Sequence, residues 1–331
     1  MSGQTPVVRS RPPERTPEHM SERMVEHTPD HTLEHMPERT LEHKPEDAPE
    51  HKPEHMTTAP GESAQPALPD HFSYSSMTAF QDCPRKWHYH YRVKAPRESV
   101  SSSLLLGVAL HAALEEINLA WLGGQRLPID EAMATFDAHW RRETDGQTVL
   151  FNQDEDHAGL RALAGELLSL YSQDCLSTQG RLLAVEERVA ITLPGLSVPV
   201  VGRLDALVDG GQALVVVDAK TSKAGYTQQK LVPAAAQLSF YASAVEPLAR
   251  QLGKPLAGRF LVFRKITRPR IDTVDVPLSP GGVQRTHRML AETWTLIEAA
   301  DRADSFPTRP SWMCRQCAFQ ERCTHETCLG A

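Results

Sequence analysis

The chain has 331 residues and a formal net charge of −7, with 40% hydrophobic and 23% charged side chains. That acidity sits in the first seventy residues, which hold 7 Lys+Arg against 14 Asp+Glu; from His71 to Ala331, 28 basic side chains balance 28 acidic ones. A neutral body excludes reading nucleic-acid binding from net charge, so any such surface must be a local patch.

No apolar run approaches the roughly 18 residues of a membrane span, and the start of the chain shows no charged segment before an apolar stretch. No membrane partner and a cytoplasmic location are therefore expected. From Thr16 to His55 the chain divides into ten tetrads whose third residue is always acidic, whose second is Pro in six and whose fourth is His in seven. Proline at that density breaks helices, and the sparse apolar residues cannot offset ordering entropy. His27, His31 and His35 would align on a helix as a metal trap, but Pro29 falls inside that window. A disordered, low-complexity tail over residues 1–70 and a single folded body over 71–331 are expected.

In the body, Ser75 and Ser76 can cap a short helix reaching Cys83, and Arg85–Tyr91 adds a turn or two. Apolar residues recurring at three and four predict a helix over Ser103–Leu122, ended by Gly123-Gly124. Two more helices are predicted near Glu131–Arg142 and His157–Cys175. The period then changes to two. Ala184–Leu193, Val198–Val208 and Ala213–Lys220 read as strands, with Gly210-Gly211 as a hairpin turn. Pro233–Leu252 returns to helix, Gly258–Ile266 and Ile271–Val276 to strand, and Gly282–Ala300 to helix. The order predicts an α/β or α+β fold, a central mixed sheet flanked by helices.

Two segments carry chemistry. In Val217-Asp218-Ala219-Lys220, strand alternation sends Asp218 and Lys220 to one face with Ala219 opposite. In Gly202-Arg-Leu-Asp205, the acid lies on the neighbouring strand. Two carboxylates and an ammonium can so converge at one sheet face, and hard oxygen donors are what Mg²⁺ or Mn²⁺ takes. Such a cation acidifies a bound water and neutralises charge on a phosphodiester. Lys220 can orient that water, deprotonate it if burial lowers its pKa, or contact the phosphate. Gly107 and His111 share one face of the first long helix; Gln237 and Tyr241 share one face of the helix after the third strand.

The ordered set Gly107-Val-Ala-Leu-His111, Gly202-Arg-Leu-Asp205, Val217-Asp-Ala-Lys220 and Gln237-Leu-Ser-Phe-Tyr241 resembles the RecB-like branch of the PD-(D/E)XK nuclease superfamily, over most of Tyr74 to Cys323. The resemblance implies a restriction-endonuclease-like core with a helical insertion. It implies that Asp205, Asp218, the Ala219 carbonyl and His111 hold the metal, that Lys220 is the catalytic lysine, and that Gln237 and Tyr241 place DNA near the metals. The family also carries a glutamate on the preceding strand. Glu187 shares a face with Val185, Val189 and Ile191, while the family's spacing favours Glu186; both stay open.

Of the six cysteines, Cys314, Cys317, Cys323 and Cys328 crowd together near the C-terminus, which in a chain without a signal sequence reads as metal or cluster ligation. Cys314-x2-Cys317-x5-Cys323, with the distant Cys83-Pro84-Arg85-Lys86-Trp87, resembles the iron–sulfur form of these nucleases, which includes AddB-type repair nucleases and CRISPR spacer-acquisition nucleases. That likeness implies a [4Fe–4S] cluster on Cys83, Cys314, Cys317 and Cys323, stapling the two ends of the domain. A local four-cysteine zinc site using Cys328 instead of Cys83 is the alternative. Cys175, inside a helix, reads as a small apolar residue. Arg85, Lys86, Trp87, Tyr89, Tyr91, Arg92, Lys94 and Arg97 interleave cations with aromatics, a pattern that binds single-stranded DNA by phosphate pairing and stacking or packs its aromatics beside the cluster with its cations solvated. Arg264, Lys265, Arg268 and Arg270 form a second candidate phosphate contact.

The expected function is a metal-dependent DNA nuclease acting on DNA ends or single strands in repair or recombination. A non-catalytic DNA-binding scaffold is the competing class, and the intact acid–acid–lysine set argues against it. No Gly-rich loop ending in Gly-Lys-Ser/Thr is present, so a helicase motor or other repair protein would be a separate partner.

Overall fold

The computed structural model describes residues 67–175 and 180–329, so the tetrad repeat lies outside the described residues. Within the expected tail, Leu68 is described and packs against the core.

The body opens with a two-residue strand, β1 (Phe72–Ser73), and helix α1 (Tyr74–Asp82). The cap of α1 is Ser73, whose hydroxyl accepts the Ser76 N–H at 3.1 Å, slightly earlier in the chain than Ser75 and Ser76 suggested. Pro84 starts the short helix α2 (Pro84–Trp87), where its missing N–H costs nothing. After β2 (Ser99–Ser101), the Ser101 hydroxyl caps α3 (Ser102–Leu122). Then follow α4 (Ile129–Thr144), β3 (Thr148–Leu150) and α5 (His157–Leu170), the last capped by Asp156.

The sheet strands are β4 (Arg181–Ile191), β5 (Val200–Asp209) and β6 (Leu214–Ser222). Helix α6 (Gln228–Gln251) leads to β7 (Leu256–Arg264) and β8 (Arg270–Val276). Helices α7 (Pro280–Arg302) and α8 (Gln320–Leu329) close the described chain. Helix α6 starts before Pro233, because Leu231 N–H already closes a turn on the Thr227 carbonyl. Pro233 is therefore an interior residue rather than a helix start.

Strands β4, β5 and β6 run antiparallel, β6 and β7 are parallel across the α6 connection, and β8 pairs antiparallel with β7. Strand β1 pairs with the start of β5, so the six-stranded sheet is mixed. Helices cover both faces. Leu105 and Leu110 of α3, Phe136 of α4 and Leu167 of α5 pack on Val215 and Val217. Phe240 of α6 and Leu290 and Trp294 of α7 pack on Val216 and Phe260. The expected mixed α/β sheet flanked by helices is the architecture observed.

The reading that no segment is long enough for a membrane span needs one correction. Among the described residues α3 is long and apolar enough by length and composition alone. Its Leu105, Leu106, Leu110 and Ile117 are instead core residues at 2% exposure or less.

Candidate active site

Strands β5 and β6 pair from Ala206–Asp209 to Leu214–Val217 and then part. At the fork the Ala219 N–H has no β5 carbonyl opposite it, and Asp205 Oδ2 accepts it at 2.7 Å. A side chain thus substitutes for a ladder bond, which fixes the carboxylate. On β6, Leu214 and Val216 face α6 while Val215, Val217 and Ala219 face α3. Period-two alternation carries Asp218 and Lys220 onto the α6 side.

Lys220 Nζ lies 3.0 Å from Asp218 Oδ1 and 2.7 Å from Oδ2, and donates to Gln237 Oε1 at 3.0 Å. Gln237 Nε2 donates to the Tyr241 hydroxyl one turn along α6 at 3.1 Å. Gly202 permits this approach: a Cβ there would meet Phe240 Cε1 at 2.5 Å and Tyr241 Cε1 at 2.8 Å. The Gly of the Gly202-Arg-Leu-Asp205 segment is thus explained by the contact between α6 and β5.

From the opposite layer, His111 of α3 places Nε2 3.0 Å from the Ala219 carbonyl oxygen. Its Nδ1 then faces Asp205 Oδ2 at 3.6 Å and Glu186 Oε1 at 4.0 Å. His111, Glu186 and Asp205 each present one ligand atom within 4.8 Å of the others. His111 and Glu186, with Ala219 and Lys220, border a cleft of about 490 Å³ that also exposes Gly107, Arg203 and Thr221.

Burial favours a neutral His111, but the carboxylates of Glu186, Asp205 and Asp218 outweigh it and raise the imidazole to about 9. Burial pushes the Asp218 and Asp205 carboxyls up. Lys220 is also buried, which alone would lower it, yet Asp218 beside it raises it above the ordinary lysine value. Burial therefore does not make Lys220 a base here; it is a held ammonium.

These residues fit a divalent cation. Asp218 Oδ2 is buried and meets only the Lys220 ammonium, in an ion pair at 2.7 Å without good hydrogen-bond geometry. The carboxylates of Glu186 and Asp205 and the His111 imidazole, with ligand atoms within 4.8 Å of one another, form a hard donor set suited to Mg²⁺ or Mn²⁺, and Asp218 stands beside it on Lys220. His111 Nε2–H donates to the Ala219 carbonyl, the usual way a ligating histidine is oriented through its other nitrogen, so this oxygen serves the histidine and not, as the resemblance implied, the metal.

The structure brings together His111, Asp205, Asp218, Ala219, Lys220, Gln237 and Tyr241. Between the two glutamates it chooses: Glu186 faces the site and Glu187 is exposed. Sequence reasoning missed Arg203 and Glu115, which line the same cleft. Glu115 lies four residues after His111, a spacing that could have revealed it.

The stretch after Cys83 needs correction as a DNA surface. Trp87 is fully buried, donates its indole N–H to Ser76 Oγ at 2.7 Å, and offers no face to a base. Arg92 is buried against Asp301 Oδ1 at 2.6 Å. Arg85 is occupied by the Phe306 carbonyl and Glu326. Lys86, by contrast, stands at the edge of the cavity lined by the cysteines. In the second basic group, Arg264 is buried and paired with Asp272 at 2.6 Å, and Lys265 donates to Ser103.

Cys83, Cys314, Cys317 and Cys323 line one cavity of about 200 Å³. Burial pushes the Cys317 and Cys323 thiols up, and both are raised further by Cys83 and Cys314. Four thiols around a small cavity fit a cluster or a metal. The side chains of Cys328 and Cys175 lie outside the described residues.

A family model for the PD-(D/E)XK nuclease superfamily matches residues 71–324. Among solved structures, a protein from Eubacterium rectale to which an exonuclease activity is ascribed is 15% identical, with a TM-score of 0.50 over 74% of this chain and 87% of its own. A second, SSO0001, is also 15% identical but reaches a TM-score of only 0.36, over 76% of this chain and 84% of its own. The comparison with curated proteins gives no match. With the family model spanning the whole sheet and the site at its fork, the chain belongs to the PD-(D/E)XK nuclease superfamily.

Proposed function

We propose that the protein is a divalent-metal-dependent deoxyribonuclease that hydrolyses phosphodiester bonds at DNA ends or in single strands, in repair or recombination. The observation that carries this reading is the convergence of Glu186, Asp205, His111 and the buried Asp218–Lys220 pair at the β5–β6 fork beside an open cleft. Glu186, Asp205 and His111 Nδ1 would hold the cation, with Asp218 as a further ligand where the cation shares its carboxylate with Lys220. Bound there, it supplies a water of lowered pKa and charge neutralisation on the phosphate. Lys220, fixed between Asp218 and Gln237, presents an ammonium that can donate to a phosphate oxygen or orient the water. Gln237 fixes Lys220 and is itself fixed by Tyr241.

The test is cleavage of end-labelled single- and double-stranded DNA with Mg²⁺ or Mn²⁺. Asp218→Ala and Lys220→Ala should each lower the rate at least about 100-fold while circular dichroism stays unchanged. Full activity in both variants, or retention of DNA without cleavage under either cation, would overturn the assignment.

The cysteine cavity supports a second part of the proposal, a [4Fe–4S] cluster on Cys83, Cys314, Cys317 and Cys323 with a structural role. Anaerobically purified protein should be brown, with broad absorbance near ~400 nm. Colourless protein carrying zinc would replace the cluster by a zinc site on four cysteines.

A further inference from the structure

The second residue of the Gly202-Arg-Leu-Asp205 segment has no part in the proposal above, yet it reaches directly into the acidic site. Arg203 Nε lies 2.9 Å from Glu186 Oε2 and donates to the Glu186 backbone carbonyl at 3.2 Å. A terminal nitrogen donates to Glu115 Oε1 at 2.6 Å. One guanidinium thus links β4 to α3, reaching Glu115 one helical turn beyond His111.

What it holds is strained. Glu186 has φ +48°, a left-handed conformation in the middle of a strand, which L residues adopt only when their surroundings enforce it. That conformation turns the side chain toward the fork. With Oε2 taken by Arg203, Oε1 is the oxygen left facing His111 Nδ1. The Glu186 side chain is 11% exposed, whereas Arg203 is 57% exposed along the cleft.

We infer that Arg203 is a positioning residue: its fork, anchored on Glu115, holds Glu186 in the conformation that offers one carboxylate oxygen to a divalent cation. The inference rests on the metal-dependent reading of the site. Hydrogen-bonded partners of ligating carboxylates typically set metal affinity by about 10- to 100-fold. A pure charge effect would run the other way, because removing a cation from a metal site attracts the metal more strongly. The two are separable, since lysine keeps the charge but not the planar fork.

The experiment is calorimetric titration of the full chain with Mn²⁺ alone, without DNA, alongside the melting temperature of each metal-free variant. Arg203→Lys and Arg203→Met should both bind Mn²⁺ about tenfold or more weakly, and Glu115→Gln should weaken it less. Should Arg203→Met not fold, Arg203→Lys and Glu115→Gln carry the comparison. Wild-type affinity in Arg203→Lys, or tighter binding in Arg203→Met, overturns the inference while Asp205→Asn still loses the metal. If Asp205→Asn binds Mn²⁺ like the wild type, the metal-dependent reading falls and the inference falls with it.

Discussion

Glu155 joins three parts of the molecule through one carboxylate. Lys223, just beyond β6, lies 2.9 Å from Oε1, while Ser102 at the start of α3 and Asn152 donate to Oε2 at 2.8 Å each. Burial works against its charge, but the bonds from Asn152, Lys223 and Ser102 prevail and bring the acid down to about 2. The folded state therefore releases this proton more readily than the unfolded chain. Its stabilisation is complete above the ordinary value of 4.5 and disappears as pH falls through about 2. Glu155→Gln should cost about 1–2 kcal/mol at pH 7. Urea unfolding should show wild type and variant converging near pH 2. Arg92→Met should destabilise by about 3 kcal/mol, because it strands Asp301 without its partner. Loss of stability without a selective loss of DNA affinity is the expected pattern, since Arg92 is inside the fold.

Glu186 also shows what a one-dimensional reading cannot reach. The parity that groups Glu187 with Val185, Val189 and Ile191 assumes an unbroken strand. In the structure Val185 packs on the α3 side whereas Val189 and Ile191 pack on the other. The left-handed residue between them exchanges the faces. Asp218 and Lys220 are legible because β6 keeps its alternation through Lys220. Trp87 and Arg92 mislead for the opposite reason: an aromatic and a cation look alike in sequence whether they meet a base or a core.

At the scale of elements, the contact between α6 and β5 is a tight constraint on the site, because it places Gln237, held by Tyr241, against Lys220. Gly202→Ala would drive a methyl group into the rings of Phe240 and Tyr241. We expect a loss of about 1–3 kcal/mol in urea unfolding, with cleavage falling further than stability because Gln237 leaves Lys220. The long helices and the strands of the main sheet are evident from period alone. Strands β1, β2 and β3 are not, since two or three residues carry no period; β2 and β3 exist because Val100 and Val149 are brought side by side.

For the whole molecule, the two ends of the body are one structural unit. Glu98 accepts the backbone N–H groups of Glu321 and Arg322 at the start of α8, and Tyr89 donates to Glu326 at 2.5 Å. If the cavity beside them holds a cluster, Cys83→Ser should lose iron and lower the melting temperature, whereas Cys328→Ser should do neither. Iron analysis with a thermal melt separates the two. The crowded C-terminal cysteines point to a metal or cluster from sequence; the cavity they share with Cys83 appears only in three dimensions.

The partners that Tyr89 and Glu98 need stand 237 and 223 positions further along the chain. During synthesis the first helices therefore emerge with their aromatic side uncovered, and no local segment can close it. A chain ended between β8 and α8 would hold every strand of the main sheet yet leave the seam open, exposing Tyr89 to proteolysis. Only a polypeptide extended through α8 supplies Glu326 to Tyr89 and the α8 N–H groups to Glu98, so the seam is the last part of the body to close.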